Sequence, residues 1–148
     1  MADNKAPLMA FLTAEGYLPT ADEQGGISFK REGRVMLSFV ADDDPNYFNL
    51  YCYMNYEGVL TDREKALTVT NEVNRTLKAV KITLLDDNDP SKISFGIEAL
   101  LSSPDGFQGV FERALAIIGL SVDHFSSKIS SARPFRPAPP QEPASAQQ

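Results

Sequence analysis

The sequence predicts an α+β fold: a two-layer sandwich in which helices cover one face of a five-stranded antiparallel sheet, in the order α-β-β-β-α-β-β-α. Three observations predict it. Five segments alternate apolar and polar residues with period two and are separated by turn residues. Three further segments repeat their apolar residues at helical spacing. The strongest strand signal, Tyr47–Tyr56, is apolar on one side and tyrosine- and asparagine-rich on the other, as suits a central strand with helices on one face only.

The first helix is expected from Pro7 to Glu15, with Leu8, Met9, Phe11 and Leu12 at helical spacing. Gly16 supplies its left-handed stop, and Leu18 is placed to close over the last turn. Gly25-Gly26 turns the chain into the strand Ile27–Lys30. After Glu32-Gly33, Arg34–Ala41 sets Val35, Leu37 and Phe39 against Met36, Ser38 and Val40. Asp42-Asp43-Asp44-Pro45-Asn46 is a loop, because Pro45 cannot donate to a ladder. The three strands form an antiparallel meander. The third presents Phe48, Leu50, Cys52 and Met54 to the core, and Tyr47, Tyr51 and Tyr53 with Asn49 and Asn55 away from it.

Thr61-Asp62-Arg63-Glu64 has the spacing of a capping box, in which Thr61 and Glu64 each satisfy the other's free amide. The helix it opens is expected to run to about Lys78, burying Ala66, Thr70, Val73 and Leu77 with Leu67 and Asn74 beside them. Val80, Ile82 and Leu84 resume period two, Asp86–Pro90 turns the chain, and Ile93, Phe95, Ile97 and Ala99 alternate again. Ser103-Pro104 is a helix-start signal for the last helix, expected from about Phe107 to Ser130, whose apolar stripe runs from Val110 to Ile129.

Length and composition restrict what such a fold can do. The 148 residues suit one domain, and 43 % hydrophobic with 23 % charged residues is globular composition. No apolar run reaches membrane-spanning length, and Met1–Ala10 lacks the pattern of a secretion signal, so the expectation is a cytoplasmic protein with no membrane partner. A domain is expected over 1–131. Ala132–Gln148 holds five of the ten prolines and one large apolar residue, Phe135, which marks a disordered, proline-rich tail. Arg133-Pro134-x-x-Pro137 matches an SH3-ligand pattern, but proline-rich tails match it readily by chance.

The chain carries 14 basic and 20 acidic residues, for a net −6. Setting aside Arg133, Arg136 and Glu142 of the tail leaves −7 on the expected domain. That sign repels phosphate backbones, so no nucleic-acid partner is expected. One cysteine, Cys52, excludes an internal disulfide and a cysteine-built metal site, and one histidine, His124, excludes a multi-His cluster. Cys52 reads as a buried small hydrophobe and His124 as a helix-edge residue. The acidic loops lack the alternate spacing and distal glutamate of a calcium loop. No catalytic residue, cofactor site or metal site is therefore expected, and no enzyme.

Asn71, Asn74 and Arg75 form a more informative group, since two asparagines on one helix face go against helix propensity. Asn74 borders the buried stripe, which favours a bond from its amide to the helix end or a neighbouring strand. Recognition of a polar partner is the other reading.

Taken with Gly16-Tyr17, Gly26-Ile27-Ser28-Phe29, Lys81-Ile82-Thr83-Leu84 before Asp86-Asp87, and the long closing helix, the Asn71-x-x-Asn74-Arg75 helix end resembles the YbjN-like family over about residues 6–131. That family is labelled as bacterial sensory-transduction regulators and shares its architecture with class I chaperones of type III secretion systems. The resemblance implies sheet order 1-2-3-5-4 and no catalytic residue. The proline-rich tail and the tyrosine-rich third strand depart from the pattern.

The residues and the resemblance lead to one leading functional expectation: a non-enzymatic, chaperone-like homodimer that holds a segment of a client protein on the surface around Tyr47, Tyr51 and Tyr53. A signalling or transcription-associated regulator acting by protein contact is the alternative. A small-ligand-binding domain is a third, though it lacks convergent polar groups.

Overall fold

The computed structural model describes residues 3–130. They contain helices α1 (Ala6–Ala14), α2 (Arg63–Thr76) and α3 (Phe107–Ile129). The strands are β1 (Thr20–Ala21), β2 (Gly26–Arg31), β3 (Arg34–Phe39), β4 (Tyr47–Asn55), β5 (Lys81–Asp86) and β6 (Asp89–Leu100). They form one sheet in the order β1-β2-β3-β4-β6-β5, with every neighbouring pair antiparallel. The tail expected from 132 onward lies outside the described residues.

Six strands are present where five were expected. The addition is β1, two residues long and too short to show a period in sequence. It pairs Thr20 with Ser28 and Ala21 with Ile27. A tight turn holds it there: the Asp22 carboxylate accepts from the backbone N–H groups of Gln24 and Gly26, both at 2.8 Å. Pro19, with fixed φ and no N–H, precedes the strand and ends the pairing. The remaining five strands keep the expected order, with β4 between β3 and β6.

The core lies between one sheet face and the helices. Ile27, Phe29, Met36, Leu50, Cys52, Ile82, Ile93 and Phe95 are buried from the sheet side, and Leu12, Ala66, Val73, Phe111, Leu115, Ile118 and Phe125 from the helix side. Phe11 meets Phe107 and Phe111 edge-on at 5.4 and 5.1 Å, and Phe95 meets Phe125 edge-on at 5.4 Å. Each such side chain contributes about 1.5–3 kcal/mol by leaving water.

Two local details at the helix ends depart from expectation. Gly16 does end α1, at φ +90°, but Tyr17 closes the turn: its N–H bonds the Leu12 carbonyl at 2.9 Å and its ring packs on Phe29 at 4.9 Å. Leu18 is 91 % exposed. Asp62, not Thr61, caps α2, because it directly precedes the first helical residue and its carboxylate accepts from the N–H of Glu64 at 2.9 Å. The last helix starts where expected: Pro104 opens a 3-10 turn, Pro104–Gly106, that leads into α3 at Phe107.

Candidate site: the helix-free sheet face

The strand pairing fixes which side chains share the outer face. Lys30 lies opposite Val35, Leu37 opposite Tyr51, Tyr51 opposite Gly96, and Gly96 opposite Lys81. Tyr53 lies opposite Ser94, and Ser94 opposite Thr83. The inward positions of the same strands fill the core, so period two sends this set away from the helices. Val35 is 46 %, Phe39 42 % and Tyr53 40 % exposed. Leu100 flanks them, also exposed, opposite Tyr47.

Tyr51 is the fixed point of the face. A Cβ on Gly96 would fall 2.4 Å from the Tyr51 ring, so the ring lies flat across the bare glycine backbone. Its hydroxyl donates to Glu98 Oε1 at 2.6 Å, while Lys81 Nζ donates to Glu98 Oε2 at 2.9 Å. Burial and the bond to a carboxylate push the Tyr51 phenol well above its ordinary pKa. The same bond, together with Lys81, holds Glu98 below the ordinary carboxylate value. Phe39 and Tyr53 flank Tyr51 with ring centroids at 6.0 and 6.1 Å. The outcome is a low aromatic file whose middle ring is fastened at both its face and its tip.

Asn49, on the same face and only 2 % exposed, acts as a splice between strands. Its Oδ1 accepts from Phe39 N–H and its Nδ2 donates to Phe39 C=O, both at 2.7 Å. Asn74 does the same for Ile82 of β5, accepting from the N–H at 2.8 Å and donating to the carbonyl at 2.9 Å. Its expected bond to a neighbouring strand is thus present. Asn71 and Arg75 are exposed on α2 and do not join it.

Cys52 is fully buried, and burial pushes its thiol pKa up, which disfavours the reactive thiolate. His124 is half-buried on α3. Asp86 and Asp89 turn their carboxylates onto the N–H groups of Asn88 and Ser91. Among the described residues no group of three His, Cys, Asp or Glu side chains is placed to hold a metal ion, and no helix is long and apolar enough to cross a membrane.

The structure therefore gathers Tyr47, Tyr51 and Tyr53 on one face and adds residues the sequence did not single out: Val35, Leu37, Phe39, Gly96, Glu98, Lys30 and Lys81. Period two in Arg34–Ala41 showed two apolar sides without showing which faced out. The partners across β6 follow only from register.

An α+β domain with one sheet face under helices and the other carrying an aromatic file defines the class. The chain belongs to the YbjN family, described as "Putative bacterial sensory transduction regulator", whose family model matches residues 5–129. No curated protein matches the chain. Solved structures that share the fold include two crystal structures. One is an uncharacterized protein from Methanothermobacter thermautotrophicus, at 12 % identity and TM-score 0.60, covering 86 % of this chain and 99 % of that one. The other is YbjN from E. coli, titled a putative transcription regulator, at 13 % identity and TM-score 0.55, covering 84 % and 87 %.

Proposed function

We propose that the chain is a non-enzymatic protein-binding module whose helix-free sheet face holds a segment of a partner protein, in a regulatory or chaperone-like role. The observation that carries this reading is the Phe39–Tyr51–Tyr53 file, which no helix among the described residues covers. Tyrosines offer large rigid contact area with a polar tip, and Tyr51 is already held in place, so little ordering entropy remains to be lost on docking. Membership of a family described as sensory-transduction regulators supports a role exerted through contact with another protein. An open antiparallel sheet face suits a client held in extended form.

The test is affinity purification from the native host, comparing the wild type with Tyr51→Ser plus Tyr53→Ser and identifying bound proteins by mass spectrometry. Circular dichroism confirms that the variant folds. Selective loss of a bound protein supports the reading, and an unchanged set removes it. Should light scattering show a homodimer that the double variant dissociates, with no other protein lost, the face is a self-association surface.

A further inference from the structure

Four prolines beyond α3 recur at every third residue: Pro134, Pro137, Pro140 and Pro143. A polyproline II helix makes one turn in three residues, so in that form the four stand in a single ridge with a step of about 9 Å. Such ridges dock on aromatic-lined surfaces, and Phe39, Tyr51 and Tyr53 provide one. We propose that the segment Arg133–Pro143 of the same chain docks on this file as a polyproline II helix and has to be displaced before the partner binds; this rests on the protein-binding reading above and gives that site its regulation.

The end of α3 delivers the segment to the correct margin of the face. Ser126, in the last turn of α3, shares a hydrogen bond of 2.9 Å with the hydroxyl of Tyr56, one residue past β4. The Ile129 carbonyl accepts from Lys65 Nζ at 3.2 Å. The chain thus leaves α3 beside the end of β4 that carries Tyr53. The segment itself lies outside the described residues. At about 3.1 Å per residue Ser131–Arg136 reaches about 19 Å, against about 10 Å between packed layers, and so rounds the sheet end. Pro137, Pro140 and Pro143 are then left for the rings. Tyr53, Tyr51 and Phe39 step away from that end at 6.1 and 6.0 Å, so one polyproline turn sets two ridge prolines astride Tyr51. That ring is the one already fastened over Gly96 and to Glu98.

Charge favours the same path. Arg133 and Arg136 lie in the stretch that rounds the end. Four carboxylates gather there, from Glu57 after β4 and from Asp86, Asp87 and Asp89 at the β5–β6 turn, which Tyr56 N–H ties in through the Ser91 carbonyl at 2.8 Å. Arg63 approaches Asp87 at 4.0 Å and Lys92 approaches Asp89 at 3.5 Å, which leaves Glu57 and Asp86 without an ion pair among the described residues. Two unpaired carboxylates match two guanidinium groups; such exposed pairs add little energy but set the direction of approach. Because ridge and rings belong to one chain, they meet at an effective concentration of about millimolar, so a modest contact suffices. The same segment of a second copy offers the ridge without the tether.

Paramagnetic relaxation in the full chain tests this. A nitroxide is attached at Ser145→Cys, Cys52 being fully buried, and amide signals are compared before and after the label is reduced. Phe39, Asn49 and Tyr51 are expected to lose most of their intensity. The loss should vanish in Pro137→Ser plus Pro140→Ser plus Pro143→Ser and persist in Pro139→Ser, which lies off the ridge; circular dichroism confirms that both variants fold. Loss confined to the surroundings of Tyr56 and Lys65, or loss at Tyr51 that the triple proline variant keeps, overturns the proposal. Loss at Tyr51 in isotope-labelled chains mixed with separately spin-labelled ones assigns the contact to a second copy and overturns the tethered form. The partner purification separates this from the reading beneath it: if the segment does not dock while Tyr51→Ser plus Tyr53→Ser still loses a bound protein, only the regulation fails. When it does dock, the triple proline variant is expected to capture several times more partner than the wild type, and equal capture overturns the competition.

Discussion

Asn49 and Phe39 are joined where a β-ladder pair is due, but through the side chain of one and the main chain of the other. Leu37 and Tyr51 are paired in register, which places Phe39 level with Asn49. There the carboxamide of Asn49 takes both main-chain groups of Phe39, and the Ser38 hydroxyl donates to the Asn49 carbonyl at 2.8 Å. An amide thus wedges β3 from β4 without leaving a polar group unpaired.

Asn49→Leu is therefore expected to be costly. It strands two part-buried Phe39 main-chain groups, and at about 1–3 kcal/mol each the loss is about 2–6 kcal/mol. Urea unfolding measures it. Asn74→Ala should cost less, about 1–2 kcal/mol, because Ile82 lies on an edge strand where water can replace the lost amide.

Gly96→Ala is expected to displace the Tyr51 ring, since the added carbon would sit 2.4 Å from it. The expected loss is about 1–3 kcal/mol, together with the Tyr51–Glu98 bond. A double-mutant cycle with Tyr51→Ser checks the cause: in that background the cost of Gly96→Ala should largely disappear.

Glu32 adopts φ +51° beside Gly33 at φ +78° in the two-residue turn between β2 and β3. Both central residues are left-handed, so a type I′ turn forces a side-chain-bearing residue into a conformation that favours Asn or Gly. Glu32→Asn should stabilise the protein by about 0.5–1 kcal/mol, read as a higher urea midpoint at constant slope.

The tyrosines give an alkaline signature. Tyr17, Tyr51, Tyr53 and Tyr56 all have phenol pKa values raised by burial, and for Tyr51 the bond to Glu98 adds to it. A raised folded-state pKa contributes stability that is complete below the unfolded value, near 10, and is lost as pH climbs through the folded one. Tyrosinate absorbance should accordingly appear above pH 10 and coincide with loss of circular dichroism. Tyr51→Phe should abolish part of that coupling.

Acid acts in the opposite direction. Lys128 holds Glu72 below its ordinary value across the α2–α3 contact, and Tyr51 with Lys81 does the same for Glu98. Depressed pKa values contribute stability above the unfolded value, near 4.3, which is lost as pH falls through the folded values. Thermal midpoints should drop below about pH 4.5, and less so in Glu72→Gln.

Much of this architecture was legible in the residues. Period two located five of the six strands, helical spacing located α2 and α3, and Gly16 marked the end of α1; the turn expected over Asp86–Pro90 is only Asp87-Asn88, because Asp86 and Asp89 are already paired and Pro90 lies in β6. What escaped depended on contacts distant in sequence. The hydroxyl of Tyr51 meets a carboxylate 47 positions away. The outward side of β3 is decided by β2 and β4, not by its own alternation. Leu18 and Tyr17 are both apolar enough to close a helix end, and only the position of Phe29 decides for Tyr17. Asn74 was readable because its own helix opposed it, whereas Asn49 sat in a tyrosine-rich strand where another polar residue drew no notice.

The amide of Asn74 fills the outer margin at Ile82, and the short β1 with Pro19 covers the opposite flank at Ile27 and Ser28. A ribbon of stacked molecules needs an uninterrupted rail of vacant N–H and C=O groups, and neither flank offers one. Strand-by-strand addition of further molecules is thereby disfavoured at both margins, so the tyrosine-lined surface can stand open without inviting it.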